Sequence, residues 1–522
     1  MTHPKTLIAA HLDLRGIMFR PSYIPQLLAD LAGQGINAVV ADYEDNFPYK
    51  GVGITFDSST KWSEKNFQTF LAEARKNRIE VIPMRQCVAN LEYVLRWEKY
   101  RGFAMNRNHP STLDVNNPKA KALIFEMLRQ VLVAHPDSRY IHIGMDEAWA
   151  LVNYDLARGK DGIHLFLNYL SEVCDICEAH GKMPMMCSDM LEDYMTPSRL
   201  KLFLKFKNRV VLCPWDYDAE GDRSAIGRMG GYRVSRKWLE EPDHPAAPTI
   251  WTAHTFIEDM PAAIRRIVRP YLKGRFFTTL FQVDVWRRLG FQVMGTTSVR
   301  VDSDGGTYPF YNKRAANIRA WGRAAKRARA IGVIATSWAR GTSWRPPICN
   351  IDLTWPLITE FARSLGARPK PFFAGIPQRT VEVIVKFLGR CRADWRLETQ
   401  VADQMEALAP RIKSHRHEWQ SMIIMARLLP LHRRVEAAVS DVDYFNANNR
   451  PVNAEWQRRL DDQAGILKEL AAMRRKVYSH FSKRYHGNGF EEWIYDIFDR
   501  HTRKLKDCRR TSLQMSKKSR PT

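Results

Sequence analysis

Two adjacent carboxylates, Asp146 and Glu147, lie in the stretch Arg139–Trp149, which reads RYIHIGMDEAW. Like charges held so close push a neighbouring pKa upward. A carboxyl raised in this way can give up a proton near neutral pH, which is what a general acid must do. In an arbitrary chain such a pair is a solvated surface turn, but the surroundings here favour use. Tyr140 to Ile143 is a short apolar run with β-branched residues that breaks at Gly144. Before it, residues 118–134 set Ala122, Leu123, Phe125, Met127, Leu128 and Val131 among Lys, Glu and Arg at helical spacing. A helix feeding a buried strand that ends in acids is the repeating unit of a parallel α/β barrel, whose working groups sit at the C-terminal strand ends. One condition follows. Successive strand residues face opposite sides, so both acids reach the mouth only if the backbone leaves strand geometry after Gly144, which a glycine permits.

The elements that must position this pair recur along the first half of the chain. Apolar runs at Thr6–Leu14, Ile36–Tyr43, Ile79–Met84, Tyr140–Ile143, Met183–Ser188, Arg209–Trp215, Phe291–Val299 and Gly332–Ser337 alternate with amphipathic segments. Eight such units predict an α/β chain of the (β/α)8 TIM-barrel class over residues 1–367. An insertion is expected at about 219–275, after the sixth strand, where Gly and Pro cluster around one extra strand at Thr249–Phe256. Residues 368–500 have helical periodicity only, and the basic tail 501–522 is expected to be disordered. A dinucleotide site is not expected, because no glycine triplet follows the first strand; GVG at 51–53 and GRMGG at 227–231 lack the strand-to-helix context.

Laid side by side, the strand ends bring together Asp13 and Arg15, Glu44 and Asp45, Asn90, Asp146 and Glu147, then Trp215, Asp216 and Tyr217, and finally Trp338 with Trp344 beyond it. Carboxylates among tryptophans suggest a sugar site, since aromatic faces cover the apolar face of a pyranose while polar groups fix its hydroxyls.

Composition bounds the rest. A 522-residue chain with 45% hydrophobic residues and 15 Trp can bury a sizeable core, which excludes global disorder. The net charge of +24 favours contact with polyanions such as anionic glycans. From Arg368 onward 31 Lys/Arg face 18 Asp/Glu, so over half the excess lies there. The first residues hold no apolar stretch long enough for a signal peptide, and no run of about 18 apolar residues could cross a bilayer. A cytoplasmic protein is expected. The eight scattered cysteines read as buried or free thiols, including the Cys174–Cys177 pair inside a helical segment. No His/Cys/carboxylate cluster stands at metal-ligand spacing, so neither a metal nor a cofactor is expected.

HIGMDE at 142–147 resembles the His-x-Gly-x-Asp-Glu signature of glycoside hydrolase family 20, the β-N-acetylhexosaminidases. HLDLRG (11–16), DYEDNFPY (42–49), QCVANLEYVL (86–95), WDY (215–217) and TSW (336–338) are similar to the hexosaminidase D branch, and together the likeness covers roughly residues 6–365. The resemblance implies a retaining exo-β-N-acetylhexosaminidase using substrate-assisted catalysis. It implies Glu147 as acid and base, Asp146 as orienter of the acetamido group, and Tyr217 as donor to the acetamido oxygen. Trp215 and Trp338 would wall the pocket, and Arg15 would bind a ring hydroxyl. The chain departs from the branch at Ala89-Asn90, where Gly-His is usual. Asn90 has no proton to trade, so substrate preference or efficiency is expected to differ there. The expected partner is a glycan ending in N-acetylhexosamine, with anionic glycans on the basic surface and nucleic acid not expected. The competing reading is a non-catalytic glycan or polyanion binder on the same scaffold.

Overall fold

The barrel follows from which side of each strand is apolar. In the computed structural model, which describes residues 6–54, 60–156, 161–230, 232, 235–236, 256–274, 276–341, 345–389, 395–447 and 454–518, eight parallel strands close on themselves. They are β1 (Leu7–Asp13), β2 (Ala38–Asp42), β3 (Glu80–Met84), β4 (Tyr140–His142), β5 (Met183–Cys187), β6 (Val211–Cys213), β7 (Gln292–Arg300) and β8 (Gly332–Ser337), each hydrogen-bonded to the next, with β8 returning to β1. Alternate residues point inward. Ala9, Ala38, Val40, Ile82, Met84, Tyr140, Met185, Val211, Met294 and Ile334 make an apolar plug. One step further up the same faces come His11, His142, Cys187, Thr296 and Thr336, which line a cavity at the strand C-termini. The inward set thus changes from packing material at the base to polar groups at the mouth.

Around the barrel run α1 (Ile24–Gly33), α2 (Glu64–Lys76), α3 (Pro118–Ala134), α4 (Gly162–Ala179), α5 (Pro197–Phe203), α6 (Phe281–Arg288), α7 (Tyr311–Ala328) and α8 (Trp355–Ser364). The start of α3 is fixed by its sequence. Asn117 accepts hydrogen bonds from the Lys119 and Ala120 N–H groups, and Pro118 at the first helical position forfeits an N–H that had no partner to lose. Its buried stripe is Ala120, Ile124, Met127, Leu128, Val131 and Leu132; of the apolar positions read from the sequence, Met127, Leu128 and Val131 are buried, Leu123 and Phe125 half-buried and Ala122 exposed.

The insertion after β6 contributes a small antiparallel sheet of Arg223–Ser224, Leu272–Lys273 and Phe276–Thr278. The extra strand expected at Thr249–Phe256 lies, but for its last residue, outside the described residues. The C-terminal region is helical as expected: α9 (Gln378–Leu388), α10 (Trp395–Leu408), α11 (Arg416–Ala447), α12 (Ala454–Phe481), α13 (Asn488–Ile494) and α14 (Arg500–Lys518). In α14 Leu505 is buried. The C-terminal region packs on the barrel. Trp419, Phe481, Trp493 and Leu505 belong to the same continuous apolar core as the helices around β1–β8, and Tyr485–His486 pairs antiparallel with Met18–Phe19, just beyond β1. Among the described residues no helix is long and apolar enough to cross a membrane.

Candidate active site

The loop after β4 meets the condition set by the acid pair. Regular strand ends at His142, and then Gly144, Met145 and Glu147 adopt φ of +66°, +71° and +57°. Such values cost a non-glycine residue of order 1–3 kcal/mol and persist only where the surroundings hold them. Met145 is held by complete burial, and Glu147 by its N–H, which donates to Asp189 Oδ2 at 2.9 Å. At Gly144 no other residue fits, since a Cβ would stand 1.6 Å from Gln86 Oε1. The twisted backbone lets Asp146 and Glu147 face the same cavity.

Asn90, itself at φ +55°, donates through Nδ2 to Asp146 Oδ2 at 3.1 Å and reaches Glu147 Oε2 at 3.4 Å. One amide therefore spans both acids. Asp146 has its pKa pushed well above the carboxylate range by burial, then by the charges of Asp189 and Glu147. Glu147 is raised by burial and then by Asp189, against the pull of Asn90 and Arg228. Asp189, wholly buried, is raised by burial against the pull of Arg228. Three neighbouring carboxyls in one water-poor site hold protons jointly, so the group as a whole retains protons well above the usual carboxylate range.

Aromatic rings enclose the opposite side. Trp215 and Tyr217 stack with centroids 5.5 Å apart, and Trp338 donates its indole N–H to Tyr217 Oη at 3.0 Å. Trp215 gives its own indole N–H to Asp189 Oδ1 at 3.3 Å, and the Arg228 guanidinium covers its outer face at 4.7 Å. Arg15 is clamped by Asp13 at 2.9 Å and lies near Glu44 at 3.6 Å, with its guanidinium 5.0 Å from the Trp338 ring centre. The enclosed space is about 220 Å³, smaller than the ~300–1,000 Å³ of drug-sized sites, and suits one ring-sized group.

All seven residues singled out from sequence, Arg15, Asn90, Asp146, Glu147, Trp215, Tyr217 and Trp338, line this one cavity. Asp216 does not: its Oδ1 accepts the N–H groups of Asp218 and Ala219 and closes a turn. Asp13 and Glu44 act on Arg15 rather than on the cavity, Asp45 is not among the cavity's lining residues, and Trp344 lies outside the described residues.

No family model matches the chain. Curated relatives do: it is 29% identical over 224 residues to hexosaminidase D of Bos taurus and 28% identical over 266 residues to hexosaminidase D of Homo sapiens. These matches take in 41% and 48% of this chain, and 63% and 51% of those proteins, so the chain spans between half and two thirds of the curated relatives' length. Among solved structures, the Flavobacterium johnsoniae chitobiase aligns at TM-score 0.46 and 13% identity, over 99% of this chain and 74% of that one. The chain resembles hexosaminidase D, a likeness in keeping with the β-N-acetylhexosaminidases of glycoside hydrolase family 20.

In this hexosaminidase D-like chain, sequence reasoning placed Asp189 at the end of β5 but left it out of the site. The structure makes it the link between Glu147 and Trp215. Gln86, Asp302 and Arg340 also line the cavity and were not foreseen. A strand-end carboxylate beside a helix start was the available signal for Asp189. Nothing local marks Asp302 and Arg340, which arrive on loops after β7 and β8.

Proposed function

We propose that the chain is a retaining exo-β-N-acetylhexosaminidase that hydrolyses a terminal β-linked N-acetylhexosamine with the substrate's own acetamido group as nucleophile. The observation that carries this reading is the shared orientation of Asp146 and Glu147 into a cavity walled by Trp215, Tyr217 and Trp338. The hexosaminidase D relatives support it.

The roles follow from where the protons sit. An acetamido N–H reaching Asp146 favours the ionised form of that carboxyl, because a donor stabilises the charge. Asp146 so charged, together with Asp189, keeps Glu147 protonated at neutral pH. Glu147 then passes its proton to the glycosidic oxygen as the C1–O bond breaks, while the acetamido oxygen closes on C1 to give an oxazolinium held by Asp146. Tyr217, its hydroxyl already accepting from Trp338, is free to donate to the acetamido oxygen. Glu147, now ionised, takes a proton from the water that opens the ring from the face the leaving group left. Two inversions give net retention. The indole and phenol faces exclude bulk water, which strengthens each charge interaction.

The test is turnover of chromogenic N-acetylglucosaminide, N-acetylgalactosaminide and plain glucoside by the wild-type chain and by Glu147→Gln. Activity confined to the two N-acetyl substrates and lost in the variant is expected. Equal turnover of the plain glucoside would overturn the role given to the acetamido group.

A further inference from the structure

A second set of buried acids lies away from the cavity, where α1 meets the start of α11. Asp30 Oδ2 stands 3.6 Å and Glu418 Oε2 4.0 Å from His415 Nδ1, and the three atoms lie within 4.8 Å of one another. The Asp30 and Glu418 side chains are 7% and 1% exposed. Both of these oxygens are fully buried and have no hydrogen-bond partner, although the other oxygen of each is satisfied: Asp30 Oδ1 accepts from Gln26 and Glu418 Oε1 from Arg484. A buried carboxylate oxygen with no donor is costly, and two aimed at one imidazole nitrogen call for a common occupant.

Charge says what that occupant is. Arg484 is the guanidinium engaged with this group, and it bonds Asp352 Oδ1 at 3.1 Å as well as Glu418. The group thus sets three carboxylates, Asp30, Asp352 and Glu418, against one guanidinium, with the His417 imidazole 3.5 Å from Asp352 Oδ2. The His415 ring lies flat on Phe372, centroids 3.7 Å apart, and its imidazole nitrogen with two carboxylate oxygens forms a donor set that zinc accepts. Four-coordinate zinc with bonds of about 2.0–2.1 Å sets its ligands about 3.3–3.4 Å apart, so closing the present spacing takes small side-chain rotations. His415 is 21% exposed, which leaves a path for the ion and for a water as fourth ligand.

We propose that Asp30, His415 and Glu418 bind one divalent zinc-like cation that ties α1 of the barrel to the C-terminal helices. The site is independent of the glycosidase reading, since no ligand in it lines the cavity.

The full-length untagged chain, stripped with a chelator and titrated with Zn²⁺ by calorimetry alongside Mg²⁺, tests this. One Zn²⁺ per chain is expected, with a raised Tm, no matching response to Mg²⁺, and affinity lowered about tenfold or more in Asp30→Asn and in His415→Gln. Absence of Zn²⁺ binding, or binding unchanged in both variants, overturns the site. If a variant fails to fold, zinc-edge absorption of the wild-type chain decides. A shell of N/O donors with one imidazole supports the site, and a sulfur shell or one lacking imidazole overturns it.

Discussion

Two clusters of three carboxylates have different partners in this chain. Asp146, Glu147 and Asp189 border a cavity, meet one amide (Asn90) and an offset guanidinium (Arg228), and stay rich in protons. Asp30, Asp352 and Glu418 are enclosed between α1, α8 and α11. Arg484 binds two of them directly, and Asp352 is held down to about 2 by His417, Arg484 and Tyr485 against its burial. Only Asp352, ringed by a cation and hydroxyls, becomes a fixed anion; burial raises Asp30 and Glu418 much as it raises the cavity acids. Like-charge crowding by itself does not tell a reactive site from a structural joint; the partners do.

The sharpest way to break the contrast is Glu147→Gln, which removes the transferable proton. It should lower kcat/KM on an aryl N-acetylhexosaminide about 10³-fold with little change in Tm. Asp146→Asn should cost about 10²-fold in kcat, and more for the N-acetyl substrates than for any residual activity on plain glucosides. In the other cluster, Arg484→Met leaves the buried Asp352 and Glu418 without their shared cation. It should destabilise the fold by about 3–5 kcal/mol in denaturant melts, with catalysis per folded molecule unchanged.

A smaller effect sharpens the comparison. The Asp189 charge raises the Glu147 pKa, so Asp189→Asn should move the alkaline limb of the pH–rate profile to lower pH; an unmoved limb would disconnect Asp189 from the acid. The smallest concerns Asp30. Its folded-state pKa, about 7, lies above the ordinary carboxylate value, so the folded state binds more protons and metal-free stability falls as pH rises from about 4 to about 7. Asp30→Asn should therefore raise the metal-free Tm at pH 8 and leave it unchanged at pH 4.

The barrel was legible because its strands are continuous apolar runs bounded by turns, and inward alternation alone fixes which residues plug it. The acid pair was legible for a similar reason: Gly144 announces a break in strand geometry, and the chain twists there. Asp189 was not, because its role depends on Trp215 from a different strand, and pairing between strand ends leaves no local trace. The joint at Asp30, His415 and Glu418 joins residues almost 400 positions apart, so ligand spacing could not show it. The shared core also changes how a basic C-terminal surface can be tested. Cutting the chain near Arg368 would remove Phe372 and bare Trp355, on which it stacks at 4.5 Å, so loss of binding after such a cut would report collapse rather than a missing contact.

The pairing of Met18–Phe19 with Tyr485–His486 has a consequence for synthesis. Gly489 packs so closely on the Gly16 carbonyl that a Cβ there would lie 2.1 Å from it, and Arg15, its immediate neighbour, leans into the cavity. On the ribosome the segment bearing Arg15 must wait for nearly the entire polypeptide to emerge before it can settle. A side chain made early is thus among the last in the pocket to find its place.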